Sequence, residues 1–282
     1  MSEAEKSKKS PFPRVAIIGG GVMGGTIISA LRVTGWPSES VVVAEKDPAR
    51  AAALKELHGI EVDPSVPKMI KGAQVVIIAV KPQDVEAVLK EFGKALDPGA
   101  LVVTVAAALP TAFYEKRLPS GTPVIRAMPN TPVIIAQGAT ALAGGKHAED
   151  EHFITVQSML RATWLLVNVP EDAMDAVTAV SGSGPAYFYA VVEALTEAGV
   201  AQGLDRILAT QLAAQTFVGA ARLLVESGET PQGLRKKVAS PGGTTQAALD
   251  ALHHAGLQDV ISAGTRAAAT RAKEMAKELG AS

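Results

Sequence analysis

Cysteine does not occur among the 282 residues of the sequence. The chain can therefore have no disulfide framework, no thiolate nucleophile and no zinc or iron–sulfur site with cysteine ligands. A protein without cysteine fits the reducing cytosol. The five histidines show no metal-ligand spacing, and we recognise no Ser/His/Asp constellation. These absences exclude thiol chemistry and leave a metal centre without support.

An excess of charge and long apolar runs are also lacking. The 27 basic and 28 acidic residues give a formal charge of −1, so electrostatics gives no reason to expect nucleic acid or an anionic membrane as partner. We find no uncharged apolar window of the roughly 18 to 20 residues that span a bilayer. The polar residues 1–13 lack the apolar segment of a signal peptide and are predicted to be a disordered tail. A cytoplasmic protein that acts on a small molecule is the prediction.

Short apolar runs alternate with helix-like segments in the first part of the chain. This alternation is typical of a doubly wound parallel sheet with right-handed crossovers, an α/β fold. The predicted strands are residues 15–18, 41–44, 75–80, 101–105, 123–125, 138–143 and 164–167. The predicted helices between the first four strands are residues 26–33, 48–57 and 82–96.

After Pro170 the apolar strand-like runs stop and alanine-rich helical segments follow. We therefore predict a dinucleotide-binding domain at residues 14–170 and an all-helical domain at residues 171–282. Helices are expected at residues 185–198 and 204–226, each ended by a left-handed glycine, Gly199 and Gly228 respectively. The second helix carries small residues along one face, which suits either an intrachain helix pair or a subunit contact. These small residues are Ala209, Ala213, Thr216 and Ala220.

The first strand runs directly into Gly19-Gly20-Gly21-Val22-Met23-Gly24, which satisfies the G-x-G-x-x-G pattern. The pattern alone is weak, because glycine-rich turns are common. Here it follows a buried strand and opens a helix, so backbone N–H groups and the helix dipole can face a pyrophosphate. The context predicts dinucleotide binding.

The end of the second strand gives conflicting indications of which dinucleotide binds. Glu45 is placed to hydrogen-bond the adenosine ribose hydroxyls, which favours NADH. Lys46 and Arg50 stand beside it and could hold a 2′-phosphate, which favours NADPH. We predict NADPH, with NADH used less well, provided that Glu45 can rotate into solvent. A solvated helix start is the alternative for all three residues.

Two further loops lie at predicted strand ends, where ligands bind in open α/β sheets. Ala79-Val80-Lys81-Pro82 follows the third strand, and Lys81 is either a cofactor contact or a solvated lysine. Met128-Pro129-Asn130 belongs to a proline-framed loop, in which Asn130 offers both a donor and an acceptor to a nicotinamide amide or ribose. A plain proline-directed turn is the alternative.

The helical part contains two Ser/Thr/Gly clusters, at residues 180–187 and 239–245. In the second cluster a Pro-Gly-Gly turn runs into a helix predicted to begin at Thr245. Amide N–H groups and hydroxyls can converge there on a carboxylate. A helix N-terminus capped by threonine uses the same donors and is the alternative.

Four segments together resemble the pyrroline-5-carboxylate reductase family. They are Ala-Val-Lys-Pro at 79–82, Met-Pro-Asn-Thr-Pro at 128–132, Val-Ser-Gly-Ser-Gly-Pro-Ala-Tyr at 180–187 and Ser-Pro-Gly-Gly-Thr-Thr at 240–245. The resemblance implies a Rossmann-type domain followed by a helical dimerisation domain, and homodimers that assemble further into rings such as decamers. It also implies NAD(P)H-dependent reduction of L-1-pyrroline-5-carboxylate to L-proline, the last step of proline synthesis.

The resemblance also assigns roles to residues of this sequence. It implies that the Thr245 hydroxyl approaches the substrate ring nitrogen. Ser181, Ser240, Gly243 and Thr244 are implied substrate contacts, the last three around the carboxylate. Lys81, Pro82 and Asn130 match cofactor-side positions of the family. Together with the residues that the motifs themselves indicate, the predicted cofactor contacts are Gly19, Gly21, Val22, Met23, Gly24, Glu45, Lys46, Arg50, Ala79, Val80, Lys81, Pro82, Met128 and Asn130. Val22 and Glu45 depart from the family pattern, which often has asparagine at the first position and small polar or basic residues near the second.

Two other functions remain open from the residues alone. A hydroxy-acid or ketopantoate-type dehydrogenase would need a lysine in the helical domain to protonate an alkoxide, and Lys236 and Lys237 are the nearest candidates. A non-catalytic dinucleotide sensor would not need the second Ser/Thr/Gly cluster.

Overall fold

The computed structural model describes residues 12–92, 95–161 and 165–281. Residues 1–11 of the predicted tail lie outside the described residues, and so does Trp164 of the predicted last strand. Contacts divide the chain into two compact units: residues up to Gly182 together with those from Ala269 onward, and residues 183–268. The domain boundary at residue 170 stays a prediction.

The first unit is built on one sheet, whose strand order in the described residues is β3-β2-β1-β4-β5-β6-β7-β8. The strands are β1 Val15–Ile18, β2 Val41–Ala44, β3 Glu61–Asp63, β4 Val75–Ile78, β5 Leu101–Thr104, β6 Val124–Pro129, β7 Ala139–Gly144 and β8 Leu165–Asn168. The strand order reverses between β1 and β4, which is the switch point where doubly wound sheets bind dinucleotides.

Helices cover both faces of the sheet, which is why the central strands are apolar on both sides. One face packs against α1, α2 and α6, and the other against α3, α4 and α5. These helices are α1 Val22–Val33, α2 Pro48–His58, α3 Val66–Ile70, α4 Val85–Phe92, α5 Thr111–Glu115 and α6 Asp150–Leu160. The doubly wound prediction is confirmed, with a 3₁₀ turn at Pro82–Asp84 before α4.

The sheet is parallel, as predicted, except at one pair of strands. β6 pairs with β7 in antiparallel fashion, whereas every other strand pair in the described sheet is parallel. The connection at residues 130–138 holds only a short 3₁₀ turn. A parallel crossover needs about a dozen or more residues, so the chain must turn back directly.

The second unit is helical, as predicted. The helices that follow the sheet are α7 Met174–Val177, α8 Gly184–Ala201, α9 Arg206–Ser227, α10 Pro231–Val238, α11 Thr244–His254 and α12 Leu257–Glu278. α7 belongs to the first unit, and α12 begins in the second unit and ends in the first. A π-helical turn, Thr178–Gly182, precedes α8.

One of the two predicted helix-ending glycines is wrong. Gly228 ends α9 with a left-handed φ of 65°. Gly199, however, lies inside α8, and the left-handed residue after this helix is Gly203. A Cβ on Gly199 would lie 3.1 Å from the Cβ of Ala209, so this glycine lets α9 approach α8 closely.

The small-residue face of α9 serves the intrachain pair over only part of its length. Ala209 and Ala213 are buried, and α8 and α9 also share an edge-to-face contact between Phe188 and Phe217. Thr216 and Ala220 are exposed. The first part of the face therefore packs within the chain, and the second remains free for a subunit contact.

Among the described helices, α9 is long and apolar enough to cross a membrane by length and composition alone. The sequence predicted no segment that could span a bilayer, and α9 passes this simpler test of length and composition. The uncharged stretch between Arg206 and Arg222 is shorter than the roughly 18 to 20 residues of a span. One helix of this composition is weak evidence for a membrane protein.

Candidate functional site

The glycine-rich loop joins β1 to α1 at the switch point of the sheet. Gly19 has a φ of 98°, and a Cβ built on it would lie 2.8 Å from the carbonyl oxygen of Ala79. A Cβ on Gly24 would lie 1.9 Å from the carbonyl oxygen of Gly19. Side chains at these two positions would force the loop away from the end of β4.

Gly21 is different, because a Cβ there would meet no described atom within 4 Å. It is the N-cap of α1 and has a φ of −64°, which any residue can adopt. The first α-helical hydrogen bond is donated by Gly25 N to Gly21 O, so the amides of the preceding turn face outward. An open space above helix N-terminal amides is the cradle that a pyrophosphate needs, so these residues fit a dinucleotide.

Glu45 lies beneath this loop and is only 7% exposed. Its carboxylate accepts hydrogen bonds from the amides of Gly20 (2.8 Å) and Asp47 (2.7 Å), and from the Arg50 guanidinium (2.9 and 3.4 Å). The prediction of NADPH assumed that Glu45 can rotate into solvent, and the buried, hydrogen-bonded carboxylate does not meet that condition. Four hydrogen bonds use the acceptor capacity of the two oxygens, which weakens the interpretation of Glu45 as a ribose ligand.

The pKa shifts of Glu45 and Arg50 agree with the hydrogen bonds between them. Burial raises the pKa of Glu45, but hydrogen bonds from Arg50, Asp47 and Gly20 outweigh burial and lower the net pKa below its ordinary value. The hydrogen bond to Glu45 raises the pKa of Arg50. Because a carboxyl with a lowered pKa stabilises the fold only while it is ionised, this contribution is present at neutral pH and is lost on acidification.

Lys46 and Arg50 differ in their surroundings. The Lys46 ammonium is bound to Glu91 Oε1 at 2.9 Å, while half-exposed Arg50 is anchored by Glu45 on the first turn of α2. Arg50 also lines a cleft of about 610 Å³ together with Gly20, Gly21, Val22 and Met23. Arg50 is thus the better placed of the two for a 2′-phosphate.

We expect Arg50→Ala to lower the ratio of NADPH to NADH catalytic efficiency about tenfold or more. One lost charge-assisted contact is worth about 1.5 to 3 kcal/mol in the affinity for the phosphorylated cofactor. Steady-state kinetics with both cofactors measures the ratio. Lys46→Ala is the control and should change it less, whereas an unchanged ratio in Arg50→Ala would contradict the phosphate role.

The loop after β4 is in the predicted place. Ala79 and Val80 lie against Gly19, and Ala79 N donates to Ile18 O at 2.8 Å. Lys81 is exposed, and Pro82 begins the following 3₁₀ turn. The structure therefore brings Ala79 and Val80 together with the glycine loop, and the cofactor contacts of Lys81 and Pro82 stay predictions.

Met128 and Asn130 form a separate group with the π-helical turn. Asn130 Oδ1 accepts from Ala139 N at 2.9 Å, and its Nδ2 donates to Ser181 Oγ at 3.4 Å. The Met128 methyl group would lie 2.6 Å from a Cβ on Gly182. Both functional atoms of the Asn130 amide are engaged within the protein, so its direct contact with the cofactor stays a prediction. π-helical turns occur often at functional sites.

The cluster at residues 239–245 forms a turn and a helix N-terminus. Gly242 has a φ of 75°, and Gly243 N donates to Ser240 O at 3.0 Å. α11 begins at Thr244, one residue before the prediction, and its N-cap is Gly243 without a side-chain cap. The alternative of a threonine cap is therefore wrong. The Thr244 and Thr245 hydroxyls make no hydrogen bond to the described residues and can serve a ligand carboxylate or nitrogen.

The lysines that a hydroxy-acid dehydrogenase would need lie on the exposed face of α10. Lys237 Nζ is bound to Glu229 at 2.7 Å, and Lys236 is exposed. Neither is buried beside a second polar group that would tune it as a general acid.

Two buried polar residues of the first unit are not indicated by any of the sequence motifs. Arg126 on β6 is 3% exposed, and its Nη1 donates to Glu171 Oε1 at 2.7 Å. Thr140 on β7 is 1% exposed. A charged residue within the apolar run Val-Ile-Arg-Ala-Met was the available signal for the first, since a buried arginine requires a partner.

Two family models match the chain. One, described as pyrroline-5-carboxylate reductase dimerisation, matches residues 171–275 and therefore includes α9 with its exposed apolar side chains. The other, described as NADP oxidoreductase coenzyme F420-dependent, matches residues 14–108, which include the glycine loop and the strand ends around it.

Known proteins align with nearly the whole chain. A pyrroline-5-carboxylate reductase of Mycobacterium leprae is 43% identical, covering 94% of this chain and 98% of the relative. The solved structure of the reductase from Coxiella burnetii has a TM-score of 0.89 at 34% identity, covering 93% and 98%. The Plasmodium falciparum enzyme, solved with NADP bound, has a TM-score of 0.81 at 25% identity with the same coverage. The chain belongs to the pyrroline-5-carboxylate reductase family.

Proposed function

We propose that the chain reduces L-1-pyrroline-5-carboxylate to L-proline with NADPH, the last step of proline biosynthesis, and uses NADH less well. One observation carries the proposal. The similarity to named reductases extends over more than nine-tenths of the chain, so it includes both the dinucleotide loop and the Ser-Pro-Gly-Gly-Thr-Thr segment. Product analysis tests the reaction: one proline should form for each NADPH oxidised.

The residues around the switch point would hold the cofactor. The amides at the start of α1 bind the pyrophosphate, the open space at Gly21 admits it, and Arg50 binds the 2′-phosphate. Glu45 positions Arg50 and the Gly20 amide and does not itself contact the ribose. When bound, NADPH supplies the hydride that is added to the imine carbon of the substrate.

The residues at the start of α11 would hold the substrate. The amides of the first turn, with the Ser240 and Thr244 hydroxyls, bind the carboxylate near the positive end of the helix dipole. The Thr245 hydroxyl donates to the ring nitrogen. An iminium is already electron-poor, so the chain needs to position the substrate rather than supply a strong acid–base pair.

We expect Thr245→Ala to lower turnover, because the hydrogen bond to the ring nitrogen is lost. That loss should cost about 1 to 3 kcal/mol of transition-state stabilisation. The dissociation constant for NADPH should stay unchanged, because Thr245 does not touch the dinucleotide. Kinetics of Thr245→Ala and Thr245→Ser measure the effect, and serine should recover most of the rate. Wild-type turnover in Thr245→Ala would remove this residue from the site.

The helical unit supports assembly into a homodimer. The region similar to the dimerisation model carries many exposed large apolar side chains, among them Phe188, Tyr189 and Leu212. We propose that dimers assemble further into rings such as decamers, and that the protein acts in the cytoplasm. Light scattering of the purified protein distinguishes a dimer from a decamer by mass.

A further inference from the structure

Two side chains that favour different dinucleotides meet at the end of β2. A carboxylate at this place hydrogen-bonds the adenosine ribose of NADH, whereas an arginine nearby accommodates the 2′-phosphate of NADPH. This chain has both, with Glu45 directly after β2 and Arg50 on the first turn of α2. The two are bound to each other, with 2.9 Å between Arg50 Nε and Glu45 Oε2. Each side chain therefore affects what the other can bind.

The hydrogen bonds of the Glu45 carboxylate are divided equally between backbone and side chain. Each oxygen accepts one bond from a backbone amide, Oε2 from Gly20 at 2.8 Å and Oε1 from Asp47 at 2.7 Å. Each oxygen also accepts one bond from Arg50, at 2.9 and 3.4 Å. A carboxylate has about four acceptor sites, so the guanidinium takes the sites that the two amides leave. Without Arg50, the amides would still hold the carboxylate, and each oxygen would have a free acceptor site.

The exposure of the two side chains shows which of them a ligand reaches. Arg50 is 47% exposed and lines the 610 Å³ cleft together with Gly20 and Gly21. Glu45 is only 7% exposed and contacts the guanidinium at hydrogen-bond distance. The acceptor sites that Arg50 occupies point at its guanidinium by construction. If the guanidinium were removed, these sites would face the volume that it had filled beside the cleft.

We propose that Arg50 sets the cofactor preference twice, by binding the 2′-phosphate of NADPH and by occupying the acceptor sites with which Glu45 would bind the 2′-hydroxyl of NADH. The inference rests on the proposed function, because it needs the adenosine ribose at the end of β2. In the wild type, Glu45 positions Arg50 and is closed to the ribose. Loss of Arg50 therefore changes the affinities for the two cofactors in opposite directions.

Binding of NADPH and NADH to the wild type and to Arg50→Ala tests this double role. If Arg50 served the phosphate alone, its loss would weaken NADPH binding and leave NADH binding unchanged. We expect the dissociation constant for NADPH to rise at least about tenfold and that for NADH to fall at least about fivefold. Fluorescence titration without substrate measures both constants. The control is Lys46→Ala, which removes a neighbouring cation bound to Glu91, and it should give no comparable gain for NADH.

An NADH analogue without the 2′-hydroxyl of the adenosine ribose shows where the gain arises. The wild type should bind NADH and this analogue equally, because Glu45 has no acceptor site left for the hydroxyl. Arg50→Ala should bind NADH at least about fivefold more tightly than the analogue. The wild-type comparison needs no substitution, so it tests the inference even if a variant fails to fold.

A second carboxylate near Arg50 must be distinguished from Glu45. Asp47 Oδ2 lies 3.7 Å from Arg50 Nη2, so the same substitution would release it. Asp47→Asn removes this charge and keeps a side chain that can cap α2. In the Arg50→Ala background, Asp47→Asn should keep the gain for NADH, whereas Glu45→Gln should lose it.

The outcomes separate the two claims. A wild type that binds neither cofactor overturns the proposed function and this inference together, and one that binds them but forms no proline overturns the proposed function alone. Where the cofactors bind, the inference is overturned by any of three results. They are unchanged or weaker NADH binding in Arg50→Ala, a wild type that binds NADH more tightly than the 2′-deoxy analogue, or a gain that Asp47→Asn removes.

Discussion

Gly21→Val is expected to abolish NADPH binding in a protein that still folds. The protein has open space at this Cβ and an ordinary φ of −64°, so valine causes neither a clash nor backbone strain. The same space is where the pyrophosphate meets the helix amides. We expect the dissociation constant to rise at least about 100-fold, or about 2.8 kcal/mol, with an unchanged melting temperature.

Gly24→Ala provides the opposite case on the same loop. Its Cβ would collide with the Gly19 carbonyl oxygen, so the protein itself resists the substitution and the melting temperature should fall. Fluorescence titration with NADPH and thermal unfolding of both variants distinguish a ligand clash from a protein clash. Normal NADPH affinity in folded Gly21→Val would show that the loop is only a turn.

Arg126→Met is expected to destabilise the protein by about 3 to 5 kcal/mol. The substitution leaves the Glu171 carboxylate without its cation in a mostly buried site, and an uncompensated buried charge is costly. Urea unfolding at neutral pH measures the loss. Lys46→Met is the control, since its pair with Glu91 is exposed and should contribute about 1 kcal/mol or less.

The loss in Arg126→Met should depend on pH in one direction. Burial raises the pKa of Glu171, and Arg126 lowers it only in part, so the net pKa lies above its ordinary value. A carboxyl with a raised pKa binds its proton more tightly in the folded state, so its destabilising effect grows as pH rises through the folded-state pKa. Without Arg126 this pKa rises further. The cost of Arg126→Met should therefore shrink from about pH 8 toward about pH 5, and a constant cost would contradict a charge effect.

The sequence predicted those parts of the fold that depend on local pattern. Continuous apolar runs such as residues 15–18 and 75–78 are buried on both faces, so composition alone identified them. β3 was missed because it is an edge strand in which only Val62 is buried between two acidic residues. The prediction that Gly199 ends a helix was wrong because this glycine allows a close helix contact with Ala209. No local sequence pattern distinguishes a glycine at a helix contact from a glycine at a turn.

In the candidate site, too, local pattern predicted some features and long-range contacts determine the others. The glycine loop was predictable because its function uses backbone atoms. The positions where a side chain would obstruct that backbone appear in the sequence as spaced glycines. The partners of Glu45 and Asn130 were not, because each uses hydrogen bonds whose geometry depends on how loops distant in sequence come together. Gly20 and Glu45 are 25 residues apart, and Asn130 and Ser181 are 51 residues apart.

The central claim is tested most directly by initial rates of NADPH oxidation with L-1-pyrroline-5-carboxylate and, separately, with 2-oxo acids. The amides and hydroxyls at the start of α11 have no partner among the described residues, and α10 carries no buried general acid. An enzyme that reduces a C=N bond with such a site should turn over the imino acid and leave the oxo acids almost untouched. Proline should accumulate as NADPH is consumed. Preference for a 2-oxo acid, or tight NADPH binding without turnover of either substrate, would contradict the account.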